Sequence, residues 1–252
     1  MDPARIAANL VRIRARIRTA AEESGRSVAQ ITVVGASKGH GAAAIAAAYA
    51  AGLTDLGENY IQDALPKIAA LAQSAPAAAA GIVWHFIGAL QANKTRAVAE
   101  NFAWVHTVDR LRVAERLAEQ RPHHAPALNV CVQVHIGGEA GKAGAEPAQV
   151  PALLRAIAAL PRLRLRGLMC LPPPETDPAR QRFWLHQLKE LFESVNADGA
   201  GLDTLSMGMS TDLEAAVQEG ATLVRIGTDL FGPRPPKAAN PASGAPVRIQ
   251  ST

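Results

Sequence analysis

The sequence has few of the residues on which several classes of protein depend. Only 4% of its 252 residues are aromatic and the net charge is +4, so it lacks the stacking side chains and dense basic patches of nucleic-acid-binding proteins. We therefore expect no nucleic-acid partner. Two cysteines, Cys131 and Cys170, provide neither a disulfide framework nor a metal-binding spacing. We accordingly expect no metal site and a reducing compartment.

Long hydrophobic runs are also missing. No apolar stretch approaches the roughly 20 residues of a membrane-spanning helix, and the first residues lack the apolar segment of a secretory signal. We therefore expect a cytoplasmic protein with no membrane partner. Lysine is scarce beside arginine, which limits the candidate amine nucleophiles. These are Lys38, Lys67, Lys94, Lys142, Lys189 and Lys237.

A repeated alternation of strand and helix runs through the chain. An amphipathic helix over residues 3–23 comes first, and eight short β-rich runs then alternate with helical stretches. This order predicts an α/β fold, namely a single (β/α)8 barrel of the TIM type with an extra N-terminal helix and no second domain. A doubly wound open sheet is the alternative, but no Gly-x-Gly-x-x-Gly motif follows the first strand.

The boundaries of these elements follow from composition and periodicity. The expected strands are residues 31–38, 55–57, 83–88, 104–108, 128–136, 165–171, 203–206 and 222–226. Residues 74–80 and 137–145 are expected to be loops, Asp109 is expected to cap a helix over 110–120, and Thr211 to Glu214 reads as a capping box. The barrel should occupy residues 1–234. Residues 235–252, rich in Pro, Ala, Gly and Ser, should be a disordered tail.

The first strand leads into a lysine, Lys38, which is followed by Gly39. Burial at a strand end depresses the pKa of an amine, which favours its attack on a carbonyl group. The alternative is that Lys38 extends into water. The carboxyl ends of barrel strands carry the function in this fold. Polar residues near those ends are Lys38, Asn59, His85, Ser206, Ser210 and Arg225.

The loops after the seventh and eighth strands are rich in small residues and hydroxyl groups. Ser210 and Thr211 lie in the first loop, and Gly227 and Thr228 lie in the second. Backbone amides and hydroxyls of this kind suit a phosphate group, and these two loops often bind phosphate in barrels. Capping and a tight turn explain either loop by itself. Both loops together favour a phosphate ligand.

Seven successive motifs resemble the pyridoxal phosphate homeostasis protein family. They are VGASK (34–38), GENYIQ (57–62), WHFIGALQANK (84–94), VDR (108–110), RGLM (166–169), LSMGMS (205–210) and VRIGT (224–228). The resemblance extends over nearly the whole chain, as far as Arg234. The family is similar to the barrel domain of alanine racemases and of some amino-acid decarboxylases, but it lacks their second, β-rich domain. Departures from its pattern occur at Gly39-His40, His135 and Gly137.

This resemblance implies a cofactor, pyridoxal 5′-phosphate (PLP), and a set of residues that bind it. Lys38 matches the lysine that forms the internal aldimine, and Arg225 matches the residue that faces the pyridine nitrogen in related racemases. Phosphate-binding positions match Ser210, Gly227 and Thr228. Further neighbours of the ring are expected at Asn59, His85 and Met207. Core packing is an equal alternative for Met207, and a hydrogen-bonded structural role is the alternative for His85.

The resemblance also implies a role in vitamin B6 balance, as a carrier or buffer of PLP. The cationic Arg225 disfavours protonation of the pyridine nitrogen, which weakens the ring as an electron sink. We therefore expect no catalytic residues and a protein that is not an enzyme, and we expect a monomer. Apo forms of PLP-dependent enzymes are the protein partners that a carrier implies. Two alternatives remain: a weak PLP-dependent racemase or lyase, and a barrel enzyme in which Lys38 forms an imine with its substrate.

Overall fold

The computed structural model describes residues 2–137 and 143–233, and its strands form a closed barrel in the order β1 to β8. All neighbouring strands are parallel, and β8 pairs with β1 to close the sheet. The strands are β1 (Thr32–Ala36), β2 (Asp55–Glu58), β3 (Val83–Phe86), β4 (Trp104–Val108), β5 (Leu128–Val134), β6 (Leu163–Cys170), β7 (Thr204–Ser206) and β8 (Leu223–Ile226). The predicted (β/α)8 barrel is confirmed.

Ten α-helices of the described residues surround the barrel. They are α1 (Pro3–Glu23), α2 (Ala42–Ala50), α3 (Ile61–Ser74), α4 (Pro76–Gly81), α5 (Thr95–Asn101), α6 (Leu111–Gln120), α7 (Val150–Ala158), α8 (Pro178–Ala197), α9 (Leu213–Gln218) and α10 (Thr228–Phe231). Short 3₁₀ turns lie at Val28–Gln30, Ala92–Lys94 and Pro147–Gln149. No helix in this described part of the chain is long and apolar enough to span a membrane.

The extra helix α1 packs against the barrel's outer helices along one apolar stripe. Asp2 caps its start by accepting a hydrogen bond from the Ala4 amide, and Pro3 occupies the first position, where its missing N–H costs nothing. Leu10 and Ile17, spaced two turns apart, are almost fully buried. The helix contacts α2, α9 and α10. It therefore lies beside the two helices that follow the seventh and eighth strands.

Three local predictions were wrong, each for a physical reason. Residues 76–81 form the helix α4 instead of a loop, because alanine has the highest helix propensity and Pro76 starts the helix favourably. Asp109 does not cap α6, because the helix begins at Leu111 with Arg110 in the cap position, and the Asp109 carboxylate accepts hydrogen bonds from the Arg110 guanidinium. No capping box forms before α9, because the Glu214 carboxylate pairs with Arg16 on α1.

Two further predictions concern the ends of segments. Strand β1 is shorter than expected and ends at Ala36, which places Lys38 in the following turn. The predicted loop at 137–145 lies partly outside the described residues, and the predicted disordered tail at 235–252 lies wholly outside them. The end of the barrel domain at residue 234 stays a prediction.

Candidate functional site

The carboxyl ends of β1, β2 and β8 form one side of the barrel mouth. Gly35 pairs with Ile226 of β8, and Ala36 pairs with Gly57 of β2. Lys38 and Asn59 each lie two residues beyond such a pair. A Cβ atom on Gly227 would lie 3.4 Å from the backbone oxygen of Ala36. Residues predicted from three separate motifs therefore meet at adjacent strand ends.

Lys38 is half-buried in a turn immediately after β1. The next residue, Gly39, has φ +80°, a left-handed conformation that side chains other than glycine's rarely adopt. His40 follows, and its buried ring stacks on Phe231 of α10 with 5.1 Å between centroids. This contact ties the turn that contains Lys38 to the helix that begins at Thr228.

A buried ion pair fixes the residue before Lys38. The Ser37 hydroxyl donates to Glu58 Oε1 at 2.6 Å, and Lys67 Nζ lies 2.6 Å from the same oxygen. Lys67 also donates to the Ser37 carbonyl at 3.0 Å. Burial raises the pKa of Glu58, although the bonds from Lys67 and Ser37 act in the opposite direction. No sequence motif indicates this role of Glu58 and Lys67, since it depends on α3 packing against β2.

The two loops expected to bind phosphate converge in the structure. The Asp229 amide lies 3.4 Å from Ser210 Oγ, which joins the loop after β8 to the loop after β7. Asp212 shapes the first of these loops, because its carboxylate accepts a hydrogen bond from the Met209 amide at 2.6 Å. Gly227 and the exposed Thr228 begin the second loop directly after β8.

Arg16 of α1 joins both loops through three groups. Its guanidinium lies 2.6 Å from the Glu214 carboxylate and 2.6 Å from the Asp229 carboxylate. It also donates to the Ser210 carbonyl at 3.0 Å. The bond to Glu214, and then the charges of both carboxylates, raise the pKa of Arg16 despite partial burial. Nothing in the helical pattern of α1 distinguished Arg16 from its solvated neighbours.

Asn59 carries an unsatisfied polar atom at the mouth. Its Oδ1 is buried and has no hydrogen-bond partner among the described residues. Such an atom costs about 1–3 kcal/mol when nothing donates to it, so a bound ligand with a donor group fits here. The backbone of Asn59 is closely packed, because a Cβ atom on Gly88 would lie 2.0 Å from the Asn59 carbonyl oxygen.

Arg225 lies fully inside the barrel, close to the end of β6. It donates to Ser206 Oγ at 2.8 Å and to the Cys170 carbonyl at 2.8 Å. Burial lowers the pKa of its guanidinium, while the nearby Asp212 carboxylate opposes that effect. Met207, the residue after Ser206, is completely buried in the apolar core. This burial agrees with core packing, the alternative role expected for Met207.

His85 is also completely buried, and both of its ring nitrogens have partners. Nδ1 lies 2.8 Å from His106 Nε2, and Nε2 lies 3.0 Å from Asp55 Oδ1. The ring stacks on Trp104 with 5.5 Å between centroids. Burial lowers the pKa of His85, and the bond to Asp55 only partly compensates. These contacts agree with the hydrogen-bonded alternative for His85.

The mouth combines an amine, two hydroxyl-bearing loops, a buried guanidinium and an unpaired amide oxygen. These groups come from Lys38, Ser210, Thr228, Arg225 and Asn59. Such a set suits a phosphorylated aromatic aldehyde with a ring nitrogen, which is the chemistry of PLP. No group of three His, Cys, Asp or Glu residues within the described ranges is arranged to hold a metal ion.

Known proteins are similar to this chain over nearly its whole length. Residues 5–235 match the family model described as alanine racemase, N-terminal domain. The pyridoxal phosphate homeostasis protein of Pseudomonas aeruginosa is 54% identical over 229 residues, covering 91% of this chain and 96% of that protein. The protein of that description from Escherichia coli is 47% identical, covering 91% of this chain and 97% of that protein.

Solved structures of related proteins also have this fold. PipY of Synechococcus elongatus with PLP bound has a TM-score of 0.77 and 34% identity, and the match covers 90% of this chain and 100% of PipY. Alanine racemase from Corynebacterium glutamicum shares the fold alone, with a TM-score of 0.65 at 14% identity. That match covers 92% of this chain and 62% of the racemase.

The closed barrel and the family model that matches residues 5–235 thus define a barrel protein of the alanine racemase N-terminal type. Within that class, the identities of 47% and 54% across nearly the full length of both relatives are decisive. The chain belongs to the pyridoxal phosphate homeostasis protein family.

Proposed function

We propose that this chain holds PLP at the barrel mouth, bound covalently to Lys38, and serves vitamin B6 homeostasis as a carrier or buffer of the cofactor. The observation that carries the proposal is the pairing of β1 with both β2 and β8. This pairing sets Lys38 beside Asn59 on one side and beside Gly227 and Thr228 on the other. The relative PipY binds PLP, a cofactor that carries both an aldehyde and a phosphate and therefore suits a site that offers both an amine and a phosphate-binding loop.

Each residue of the mouth has a separate task in this proposal. Lys38 Nζ bonds to the aldehyde carbon, a carbon–nitrogen double bond forms, and the aldehyde oxygen leaves as water. Ser210, Gly227 and Thr228 hold the phosphate, with Arg16 keeping their loops together. Arg225 faces the ring nitrogen, and Asn59 receives a hydrogen bond from the ligand. His85 and Met207 support the site from the buried layer behind it.

The electrostatics of the site favour storage over catalysis. PLP, when bound, supplies an electrophilic carbon and an electron sink whose strength depends on protonation of the ring nitrogen. The positive charge of Arg225 disfavours that protonation. Both ring nitrogens of His85 are already bonded to protein groups, so this histidine has no spare site for moving a substrate proton. We therefore assign no catalytic residue.

Reversible loading fits the known structures of the relative. PipY is described both with and without PLP, and this chain matches the two with TM-scores of 0.77 and 0.78. The PipY barrel is therefore folded both with and without the cofactor, which suits a protein that takes up and returns it. In this proposal the chain acts in the cytoplasm as a monomer, and its protein partners are apo PLP-dependent enzymes.

Absorption spectroscopy tests the proposal. The wild-type protein with added PLP should gain a visible absorption band that survives gel filtration, and Lys38→Ala should lose it. Lys189→Ala is the matched control, because Lys189 lies on α8 in a surface pair with Glu193 and should keep the band. A band of equal strength in Lys38→Ala would refute covalent binding at Lys38. Sustained racemisation of an added amino acid by the loaded wild type would refute the carrier role.

A further inference from the structure

A continuous chain of hydrogen bonds crosses the inside of the barrel. We call it the polar chain. It runs through Asp55, His85, His106, Ser206 and Arg225. Successive contacts measure 3.0 Å, 2.8 Å, 2.7 Å and 2.8 Å. Its members lie on β2, β3, β4, β7 and β8, and a contact between β4 and β7, which are not neighbours in the sheet, has to pass through the barrel interior.

The donors and acceptors of the polar chain permit one consistent order. Arg225 has only N–H groups, so it donates to Ser206 Oγ. The ionised Asp55 carboxylate only accepts, so His85 donates to it from Nε2. Burial keeps both histidines neutral, since it lowers the pKa of His85 and lowers that of His106 well below the usual value. A neutral His85 that donates from Nε2 must accept at Nδ1.

The acceptor role of His85 Nδ1 fixes the direction of the two central hydrogen bonds. His106 donates from Nε2 to His85 Nδ1, and it accepts at Nδ1 from the Ser206 hydroxyl. Every hydrogen along the polar chain then points from Arg225 toward Asp55. A cation at one end and an anion at the other are joined by aligned bonds, each of which polarises the next. With both rings neutral, reversing any one bond between His106 and its two partners would leave two acceptors or two donors facing each other.

We propose that Asp55, His85, His106 and Ser206 are positioning residues that hold the Arg225 guanidinium at the cofactor site and balance its charge from the opposite end of the barrel. The proposal rests on the proposed function for the identity of the ligand, but the direction of the hydrogen bonds is a property of the protein alone. Asp55 is suited to this role because its side chain is 20% exposed, at the first residue of β2, so water stabilises its charge.

The other titratable groups near the polar chain lie outside its sequence of hydrogen bonds, although the Asp212 carboxylate also acts on the charge of Arg225. Near Arg225 these are the thiols of Cys131 and Cys170 and the carboxylate of Asp212. Burial raises the pKa of both thiols to about 12, which leaves them neutral. Besides burial, His85 and Arg225 are the groups that lower the pKa of His106. Asp55 is therefore the carboxylate to which the hydrogen-bonded path from Arg225 leads.

The first test uses nitrogen-15 NMR of the histidine side chains in the PLP-free protein. Both His85 and His106 should be neutral, and both should carry the proton on Nε2. His106→Gln and His85→Gln assign the signals. A cationic ring, or a proton on Nδ1 of either histidine, would contradict the proposed direction of the hydrogen bonds. Because no cofactor is present, the outcome is independent of whether the chain binds PLP.

The second test measures how pH changes the absorption band of the loaded protein. Asp55→Asn removes the negative end of the polar chain, so the positive charge of Arg225 acts more strongly on the bound chromophore. The pH at which half of the change in the absorption band has occurred should be lower in Asp55→Asn than in the wild type. Asp55→Glu should restore the wild-type midpoint. Asp203→Asn is the matched control: Asp203 directly precedes β7, pairs with Arg166 and lies outside the polar chain. Its midpoint should stay within about 0.2 pH units of wild type.

A third variant separates transmission along the bonds from a simple effect of distance. In a Ser206→Ala background the link between His106 and Arg225 is broken, so Asp55→Asn should no longer move the midpoint. A shift that persists at full size in that background would contradict the proposed route, and so would the absence of any shift in Asp55→Asn alone. If no band forms in the wild type, the proposed function fails, and the NMR result still determines the direction of the hydrogen bonds.

Discussion

Arg16 donates a hydrogen bond to the backbone carbonyl of Ser210 at 3.0 Å, although 194 positions separate them in the sequence. The same guanidinium pairs with Glu214 and Asp229. The first helix of the chain therefore holds together the two loops that we assign to the phosphate. This helix is an addition to the eight strand–helix units, and its contact with the loops gives it a role in the site.

Replacing Arg16 should weaken cofactor binding more than it weakens the fold. Arg16→Ala leaves the loops after β7 and β8 without their common partner, so we expect the Kd for PLP to rise about tenfold, equivalent to about 1.4 kcal/mol. The Arg16 and Glu214 side chains are 35% and 47% exposed, so the loss of folding stability should stay near 1 kcal/mol. Titration by absorbance and urea unfolding measure the two effects. Arg18→Ala, an exposed position on α1, should change neither, and equal Kd values for the two variants would contradict this role.

Gly88 should tolerate no side chain. Gly88→Ala would place a Cβ atom 2.0 Å from the Asn59 backbone oxygen, and Thr107 prevents Gly88 from moving because its hydroxyl donates to the Gly88 carbonyl at 2.6 Å. We expect a loss of about 2 kcal/mol or more in the free energy of unfolding, since the overlap is with backbone atoms. Gly41→Ala meets open space and should cost less than about 1 kcal/mol. Similar unfolding free energies for the two variants would rule out the close approach.

The two buried histidines should make the fold sensitive to mild acid. Burial lowers the pKa of both His85 and His106 in the folded state, whereas an unfolded histidine takes up a proton near pH 6.5. Below that pH the unfolded chain binds more protons, so the free energy of unfolding falls as pH decreases. Each histidine contributes up to about 1.4 kcal/mol per pH unit. The contribution is constant above about pH 7.5, where both states are neutral.

Comparison of variants isolates this effect from other groups, including Glu58, whose raised pKa acts in the opposite direction. His106→Gln should reduce the slope of unfolding free energy against pH, between about pH 5 and 6, by about 1.4 kcal/mol per pH unit. His124→Gln, at an exposed position, should leave the slope unchanged. Urea unfolding at a series of pH values gives both slopes. Parallel lines for wild type and His106→Gln would show that His106 takes up protons in the folded protein.

The sequence was sufficient for the barrel because its strands are short, buried and separated by helices with clear periodicity. Strand β4 begins and ends where it was predicted, and so does α1. Errors arose where composition gives a mixed signal. In residues 74–80, alanine favours helix while proline and serine favour a loop, and the tertiary structure selects helix from Pro76 onward.

The site was partly predictable for a related reason. Residues at strand ends, such as Lys38 and Ser210, are found by counting strands, because a barrel brings all of those ends together. Partners from distant elements are not found in this way. The contact of His106 with Ser206 requires barrel closure, and that of Arg16 with Ser210 requires the docking of α1. The sequence indicates such partners in one way only, by a polar residue in the middle of an apolar strand, such as His106.

Covalent attachment at Lys38 is the central claim, and borohydride reduction followed by peptide mapping tests it most directly. The wild-type protein is loaded with PLP, reduced, digested and analysed by mass spectrometry. We predict one modified lysine, Lys38, at close to one cofactor per chain, with the other lysines unmodified at equal protein and PLP concentrations. Modification spread evenly over several lysines, or concentrated on a lysine other than Lys38, would contradict the account.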